Sequence, residues 1–579
     1  MSTFDAKTFG AKTFDAIYRR YSLVEDFLAA SPWRAAVIAA IHLAALIILY
    51  QTEWGLVHGA LAVLAWALLN CGWLLVLRRP ALSAALSLVM LGLIVVLSQF
   101  KFGILWMGLT FLDFLIVDPD SLSFLFGIFP QLRLVILAVA VVAILSMIVI
   151  WRIDTLRVPR LLSALGFAAP LIALAALSFA VPEEPWEPFQ GANHVSNFAR
   201  SGVTQIAELV NHGWLDAGAR IADAPPLAAA GVCEPTVKPP HIILLLDESS
   251  FDVTAAPGIK VPADYKQHFH SFDGKERNLV MEATGGPTWY AEYNVLTGLS
   301  ARSFGRFMFY VTRLAAGRVE RGLPQALRRC GYNTITLYPT TGDFLSARRF
   351  QTTTGVSHFL DQADLGAPDD MQPDSYYFDQ AVRAIARDKS DGPLFLFVYV
   401  TANHFPWTWV YMPELTPDWR GLGNAPAVDE YIRRQMMSAH DYDEFRARLE
   451  RDFPGEAFLL VRFGDHQPAI SSKILEPSLA DAQIGQHIRA YDPTYFTTYY
   501  AIDTVNFEPV DLSSAMDRLE APYLPIVIQE AAGIPLDPTF IEQKKIMQRC
   551  KGAFYACDGG AEARRFNRLL IDAHLINGF

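Results

Sequence analysis

Positive charge is in short supply in this chain. Its 579 residues include 48 Lys and Arg against 59 Asp and Glu, for a formal net charge of −11. No basic tail offsets that balance, which argues against a general polyanion-binding role and against nucleic acid as a partner. There is no low-complexity tract and no internal repeat, so neither a repeat array nor a compositionally biased tail organises the chain. Cysteine is sparse too, with five residues and no zinc-finger spacing among them. Cys71 falls inside an apolar segment and reads as a small packing residue. Cys233, Cys330, Cys550 and Cys557 all lie later, and an even number there permits disulfides if that part is exported. Cys550 and Cys557 are near neighbours and are expected to form a local staple, which leaves Cys233 for Cys330. Free thiols are the alternative.

Apolar residues are abundant, at 52% with a mean hydropathy of +0.23. The excess is concentrated before Pro182. Apolar stretches at about 34–51, 56–77, 81–100, 130–151 and 160–181 each approach the ~20 residues a helix needs to cross ~30 Å of hydrocarbon. The first is too internal to be a cleaved signal peptide. The segment 101–130 is apolar but broken by Asp113, Asp118, Pro119 and Asp120, and reads as an interfacial or re-entrant element. Lys12, Arg19, Arg20, Arg34, Arg78, Arg79, Arg152, Arg157 and Arg160 fall on one side of five crossings, which makes that side cytoplasmic. A sixth crossing within 101–129 would reverse the orientation of everything that follows. The expected division is a membrane domain at 1–181 with its N-terminus cytoplasmic, a connection at 182–238 and an extracytoplasmic domain at 239–579. Within the connection, PEEPWEPF should be irregular. Residues 197–214 carry Phe198, Val203, Ile206, Leu209 and Val210 at helical spacing. That helix either lies on the membrane surface or packs on the soluble domain.

From His241 the pattern becomes strands alternating with helices. Continuous apolar runs at 242–246, 334–338, 394–400 and 458–463 suit strands buried on both faces, and amphipathic helical patterns at 323–330 and 376–387 lie between them. The expected fold is an N-terminal transmembrane helical bundle followed by an α/β domain with a mainly parallel central sheet. Ligands of such sheets bind beyond the carboxyl ends of the strands. Four chemistry-bearing segments fall at such ends or close after them: LLLDESS (244–250), GGPTWYAEYNVLTG (285–298), TANHFPW (401–407) and FGDHQP (463–468).

Each segment has an ordinary reading beside the functional one. Asp247 and Glu248 could be a solvated pair at a strand end; because side chains alternate, one of the two should face a site. Thr288 could be a helix N-cap, the commoner role. It could also be a nucleophile, since Gly285 and Gly286 allow close backbone approach and an adjacent metal would activate a hydroxyl that is weak alone. His404 could be structural, or could hold a phosphoryl oxygen or protonate a leaving alkoxide. Asp465 and His466 offer oxygen and nitrogen ligands suited to Zn2+ or Mn2+, with modest specificity in isolation. It is their combination that points to metal-assisted phosphoryl transfer.

These segments resemble the lipoteichoic acid synthase and phosphoethanolamine transferase group of the alkaline phosphatase (sulfatase-like) superfamily. An L-x-E-S-like strand end, T-x-x-x-E-[FY]-x-x-L-T-G, N-H-[FY]-P and G-D-H occur here in the family's order, and the resemblance covers most of the chain. It implies that Glu248, Thr288, Asp465 and His466 hold one divalent metal, Mn2+ or Zn2+, with the histidine disfavouring Mg2+. It implies further that Thr288 is the nucleophile and that His404 contacts substrate phosphate. Trp289, Arg348 and Arg349 are the remaining candidates for substrate contact. The chain departs from the glycerol-phosphate polymerases at 336–350, TLYPTTGDFLSARRF, where it lacks their His-Gly and Trp-Asn-Arg segments; Tyr338, Thr340, Leu345 and Ala347 stand where polar head-group contacts would be.

The resemblance implies a bacterial inner-membrane, multi-pass transferase with its catalytic domain facing the periplasm or exterior. It would move a phosphoglycerol or phosphoethanolamine group from a membrane phospholipid to an envelope glycan or lipid through a phospho-threonine, releasing diacylglycerol. A metal-dependent phosphodiesterase or phosphatase on the same scaffold is the alternative enzyme. A sulfatase would need C/S-x-P-x-R, which is absent around Thr288. A non-catalytic sensor or assembly protein should have lost a ligand position, and all four are present.

Overall fold

A computed structural model describes residues 32–105, 107–183, 187–218, 227, 230–235 and 237–578. Lys12, Arg19, Arg20, residues 184–186 of the Pro-rich segment and most of 219–229 lie outside the described residues. The chain divides into two units. One comprises residues up to Val117 together with Leu125–Glu208; the other comprises Asp118–Phe124 and Leu209 onward.

The first unit is helical. Pro32–Thr52, Leu56–Leu77, Pro80–Leu105, Leu132–Ile153 and Arg160–Ala180 are each long and apolar enough to cross a membrane. Leu132–Ile153 has no buried residue, yet its surface is apolar all round. Such a helix suits lipid as its solvent. This is a membrane protein. Small residues let two of the helices approach: a Cβ on Gly166 would stand 3.0 Å from Cys71 Sγ, and one on Gly72 would stand 3.4 Å from the Phe167 ring. The basic connections gather at one end of the unit. Arg79 donates to the Asp154 carbonyl at 2.8 Å, Val158 N–H to the Arg78 carbonyl at 2.8 Å and Arg34 to Thr155 Oγ1 at 3.0 Å. At the other end Glu53 Oε1 accepts from Val195 N–H at 2.8 Å. Residues 101–130 contain no span-length helix among the described residues. They hold the end of the third long helix and two short ones, Phe111–Leu115 and Pro119–Ile128. Lys101 ties the first of these down by pairing with Asp113 at 2.9 Å.

The helix expected at 197–214 spans His194–His212 and turns its polar side inward. His194, Ser196, Asn197, Arg200, Ser201, Thr204 and Gln205 are buried, while Ile206 and Val210 are exposed. The inward side is matched by polar partners. Ser196 Oγ donates to Glu53 at 2.5 Å, Ser98 Oγ meets His194 Nδ1 at 2.8 Å and Ser201 Oγ accepts from Phe111 N–H at 2.9 Å. Up to Glu208 this helix belongs to the helical unit.

The second unit is built on an eight-stranded sheet of order β4-β3-β5-β1-β6-β7-β2-β8. The strands are β1 (His241–Asp247), β2 (Asn278–Val280), β3 (Asn333–Leu337), β4 (His358–Leu360), β5 (Leu394–Val400), β6 (Phe458–Gly464), β7 (Thr497–Val505) and β8 (Arg518–Glu520). Five of the seven pairings are parallel; β7 runs antiparallel to both β6 and β2. The four runs read from sequence as doubly buried strands are β1, β3, β5 and β6, and every residue of β1, β5 and β6 is buried. Helices Asp374–Asp388 and Pro426–Asp452 cover one face, where Tyr377, Phe378, Phe445 and Leu449 pack on Ile243, Leu396 and Leu460. Both expected disulfides are present, Cys233–Cys330 and Cys550–Cys557.

Candidate active site

The central strands end level with one another. Asp247 on β1 is in register with Val400 on β5 and Gly464 on β6. The next residues, Glu248, Thr401 and Asp465, therefore leave the sheet at one edge. Gly464 is required there, because a Cβ would stand 1.8 Å from the Ser250 carbonyl oxygen. The Gly-Gly-Pro turn reaches the same edge. Thr284 bridges to Gln467, and Gly285 N–H donates to the Gln467 carbonyl at 2.8 Å. Gly285 and Gly286 have φ of 78° and 153°, conformations that favour glycine.

These elements bring Glu248, Thr288, Asp465 and His466 together. His466 Nε2 is 3.3 Å from Asp465 Oδ2 and 3.5 Å from Glu248 Oε1. One ligand atom from each of these three residues falls within 4.8 Å of the others. Thr288 is half-buried and opens the helix Thr288–Thr297, whose N-cap is Pro287; its hydroxyl caps no helix N–H. Instead Thr288 Oγ1 lies 3.4 Å from Glu248 Oε2 and 3.4 Å from the Gly286 carbonyl. The N-cap role weighed from sequence is thus filled by another residue.

The electrostatics are those of a site short of positive charge. Burial, then the neighbouring Glu248 carboxylate, pushes the Asp465 carboxyl up to about 7. Burial would lower the His466 imidazole, yet Asp465 and Glu248 together raise it. Asp465 Oδ2 and His466 Nε2 are both buried and make no hydrogen bond. Two carboxylates, an imidazole and a hydroxyl with orphaned buried atoms between them fit a divalent cation. One turn beyond Thr288, buried Glu292 is also held up to about 7 by burial, with Asp465 contributing, and accepts from Gln351 at 3.3 Å.

Asp247 faces the opposite way from Glu248, as strand alternation requires. Its Oδ2 meets His268 Nε2 at 2.8 Å and accepts from Tyr499 at 2.5 Å. Arg462 extends this network through the His268 carbonyl at 2.9 Å and Asp503 at 3.2 Å. Ser249, at φ 53°, donates its N–H to Asp465 Oδ1 and its hydroxyl to Glu248 Oε1, both at 2.8 Å. A non-glycine residue held in that region marks local strain that the surroundings sustain. Sequence reasoning gave Ser249 no role although it stands in the L-x-E-S-like strand end, and it missed His268 and Tyr499, which no motif or periodicity announced.

His404 lies beyond the end of β5, half-buried, its Nδ1 2.8 Å from the Phe405 carbonyl and its ring stacked on Phe405. The other candidates have different partners. Trp289 donates to the Phe309 carbonyl at 2.6 Å and packs edge-on against Phe309 and Phe344. Arg348 pairs with Asp361 at 2.6 Å and Asp364 at 3.0 Å. Arg349 pairs with Asp118 at 2.8 Å and Asp120 at 3.2 Å. Both guanidinium groups are already matched by carboxylates, two of which come from a segment distant in sequence.

Residues 278–497 match the family model described as Sulfatase. That stretch of the second unit is similar to a sulfatase domain. The match takes in Thr288, His404, Asp465 and His466, and Glu248 precedes it. An uncharacterised protein of Haemophilus influenzae is 26% identical over 215 residues, 34% of this chain; the alignment spans only 38% of that relative's length. Among solved structures, the phosphoglycerol transferase GacH of Streptococcus pyogenes, in complex with sn-glycerol-1-phosphate, is similar at 15% identity. It covers 59% of this chain and 87% of its own, with a TM-score of 0.45. The integral membrane lipooligosaccharide phosphoethanolamine transferase A of Neisseria meningitidis is similar at 12% identity, covering 82% of this chain and 95% of its own, with a TM-score of 0.40. The lipoteichoic acid synthase LtaP of Listeria monocytogenes covers 55% and 76% at 15% identity, with a TM-score of 0.37.

Proposed function

We propose that this protein transfers a phospho-head group, phosphoglycerol or phosphoethanolamine, from a membrane phospholipid to a glycan or lipid of the cell envelope. The observation that carries this reading is the Thr288 hydroxyl against Glu248, beside the orphaned Asp465 Oδ2 and His466 Nε2. A hydroxyl next to a cation-deficient cluster suits nucleophilic phosphoryl transfer. Glu248, Asp465, His466 and Thr288 would hold one divalent metal, Mn2+ or Zn2+. When bound, such an ion lowers the pKa of a neighbouring hydroxyl and offsets phosphoryl charge.

The chain's own residues supply the remainder. Glu248 orients Thr288 Oγ1, which releases its proton to solvent as it attacks the head-group phosphorus. The bond from phosphorus to the diacylglycerol oxygen breaks, and the diacylglycerol alkoxide takes up a proton. His404 is the candidate to steady phosphoryl oxygens or to give that proton. An acceptor hydroxyl then attacks the phospho-threonine, losing its proton and freeing Thr288. Two successive transfers predict ping-pong kinetics. The spans keep the domain at the surface where the donor resides, which raises its effective concentration.

The proposed location is the bacterial inner membrane, with the basic end of the helical unit cytoplasmic and the sulfatase-like domain in the periplasm or exterior. The gathering of Arg34, Arg78 and Arg79 at the end remote from Glu53 supports that orientation, as do two disulfides in the soluble unit.

The test is diacylglycerol release by the purified protein in vesicles carrying separately labelled phosphatidylglycerol and phosphatidylethanolamine, with Thr288→Ala as control. Release from one lipid, abolished by the variant and by chelator, is expected and names the donor. Head-group phosphate appearing in water, with no acceptor labelled when one is offered, would favour the phosphodiesterase. No release from either lipid with metal bound and acceptor present would sink the reading.

A further inference from the structure

The run TANHFPWTWVYMP (401–413), which leaves β5 through His404, contains no Asp, Glu, Lys or Arg. Within it Phe405 is 38%, Trp409 47% and Val410 56% exposed. This is not slack chain. Arg434, fully buried, donates to the carbonyls of His404 at 2.8 Å, Pro406 at 2.9 Å and Trp409 at 3.0 Å, and is itself held by Glu430 at 2.6 Å. Trp407 anchors the middle of the loop in the core and donates to the Asn403 carbonyl at 3.2 Å. The backbone is pinned from below while three large apolar side chains are presented outward. Holding them exposed in water is unfavourable by roughly 25 cal/mol per Å2 of apolar surface.

We infer that residues 405–410 form a membrane-contacting edge of the sulfatase-like domain, with Phe405, Trp409 and Val410 entering the interfacial zone of the bilayer beside His404. The occupant is lipid for three reasons. The chain carries five span-length helices, so its soluble unit is always tethered to a bilayer. A Trp with aliphatic and aromatic neighbours and no charge suits the interface, where an indole keeps its apolar body and its N–H both satisfied. A loop already fixed by Arg434 loses little entropy on entering lipid. That the lipid met there is the donor rests on the transferase reading; the membrane contact itself does not.

The experiment uses full-length protein reconstituted in phosphatidylcholine vesicles containing phosphatidylglycerol or phosphatidylethanolamine. An environment-sensitive label is placed at Val410→Cys, in a Cys71→Ala background that removes the free thiol. Asp481→Cys, on an exposed helix of the same domain, serves as reference. The label at 410 should shift to the blue and be quenched by acyl-brominated lipid, and the label at 481 should not. Equal behaviour at the two positions overturns the inference. Shielding at 410 that appears only at high protein-to-lipid ratio also overturns it, since the cover would then be a second copy. In a separate assay, the double variant Trp409→Ser, Val410→Ser should raise the KM for vesicle-borne donor roughly tenfold. Its kcat on a short-chain, monomeric donor should stay at the wild-type value. An unchanged vesicle KM also counts against the contact. If wild-type protein turns over no lipid at all, the transferase reading fails, and the quenching result alone decides the contact.

Discussion

Asp465 Oδ2 and His466 Nε2, on adjacent residues, lie 3.3 Å apart in the protein interior, and neither makes a hydrogen bond. A buried polar atom without a partner costs about 1–3 kcal/mol, more when it is charged. Two such atoms facing one another mark a place built for a third group. The first prediction follows from this pair. Asp465→Asn should weaken Mn2+ or Zn2+ binding by more than about 100-fold, read as metal content by mass spectrometry and as loss of the metal-induced rise in Tm. Undiminished binding would show that the pair serves another purpose.

Thr288 should separate chemistry from metal binding. Thr288→Ala is expected to abolish diacylglycerol release while keeping most of the metal-induced thermal shift, because Glu248, Asp465 and His466 remain. Thr288→Ser should retain measurable turnover. An alanine variant with wild-type activity would remove Thr288 from the mechanism.

Gly464→Ala tests the packing beneath the site. A Cβ 1.8 Å from the Ser250 carbonyl and 3.2 Å from Thr498 Cβ has no room unless β1 and β6 part. The expected cost is about 3 kcal/mol or more, visible as a large fall in Tm or in yield of folded protein. A Tm within a degree of wild type would contradict the register described for these strands.

Asp374 should make stability depend on pH. It is buried and accepts from Ala402 N–H at 2.9 Å; burial, then the charge of Asp247, pushes its carboxyl from 3.8 up to about 8. The folded state therefore keeps a proton that the unfolded chain releases above its own, lower pKa. Stability from this group is present at low pH and is lost, by about 1.4 kcal/mol per pH unit, as pH rises toward 8. Asp374→Asn keeps an acceptor for Ala402 and cannot ionise. Its Tm relative to wild type should climb between pH 5 and pH 8, and a difference independent of pH would refute the assignment.

The two disulfides should contribute unequally. Cys233–Cys330 closes 97 residues of sequence and Cys550–Cys557 closes 7. Chain-entropy arguments give about 4.7 kcal/mol for the first and about 2.4 for the second. Paired serine variants compared by denaturant midpoint should show the larger loss for Cys233 and Cys330.

Much of the architecture is legible because apolar runs leave little choice. LFLFVYV at 394–400 can only be a buried strand in a soluble domain, and the five long apolar helices follow from length and composition alone. The short strands β2, β4 and β8, of three residues each, were not legible, because three residues carry no period. Nor was β7, whose TTYYAIDTV mixes polar and aromatic residues without the apolar run of its neighbours. The four residues Glu248, Thr288, Asp465 and His466 could be picked out by type and by position beyond predicted strands. Arg348 and Arg349 could not be judged in the same way, because their partners lie on other elements.

What the sequence determined by itself is local: which stretches suit lipid, which suit a buried sheet, and which side chains can hold a metal or carry a nucleophile. Tertiary structure decided the rest. Strand register set Asp247 opposite Val400 and Gly464, so that one edge collects residues more than two hundred positions apart. The helix His194–His212 turned its polar face inward because Glu53 and Ser98 were there to meet it. Arg434 fixed an apolar loop by three carbonyls that no periodicity reveals. Hydrophobic pattern depends on each residue's own transfer free energy, whereas hydrogen bonds, ion pairs and metal clusters depend on the partner, which folding alone supplies.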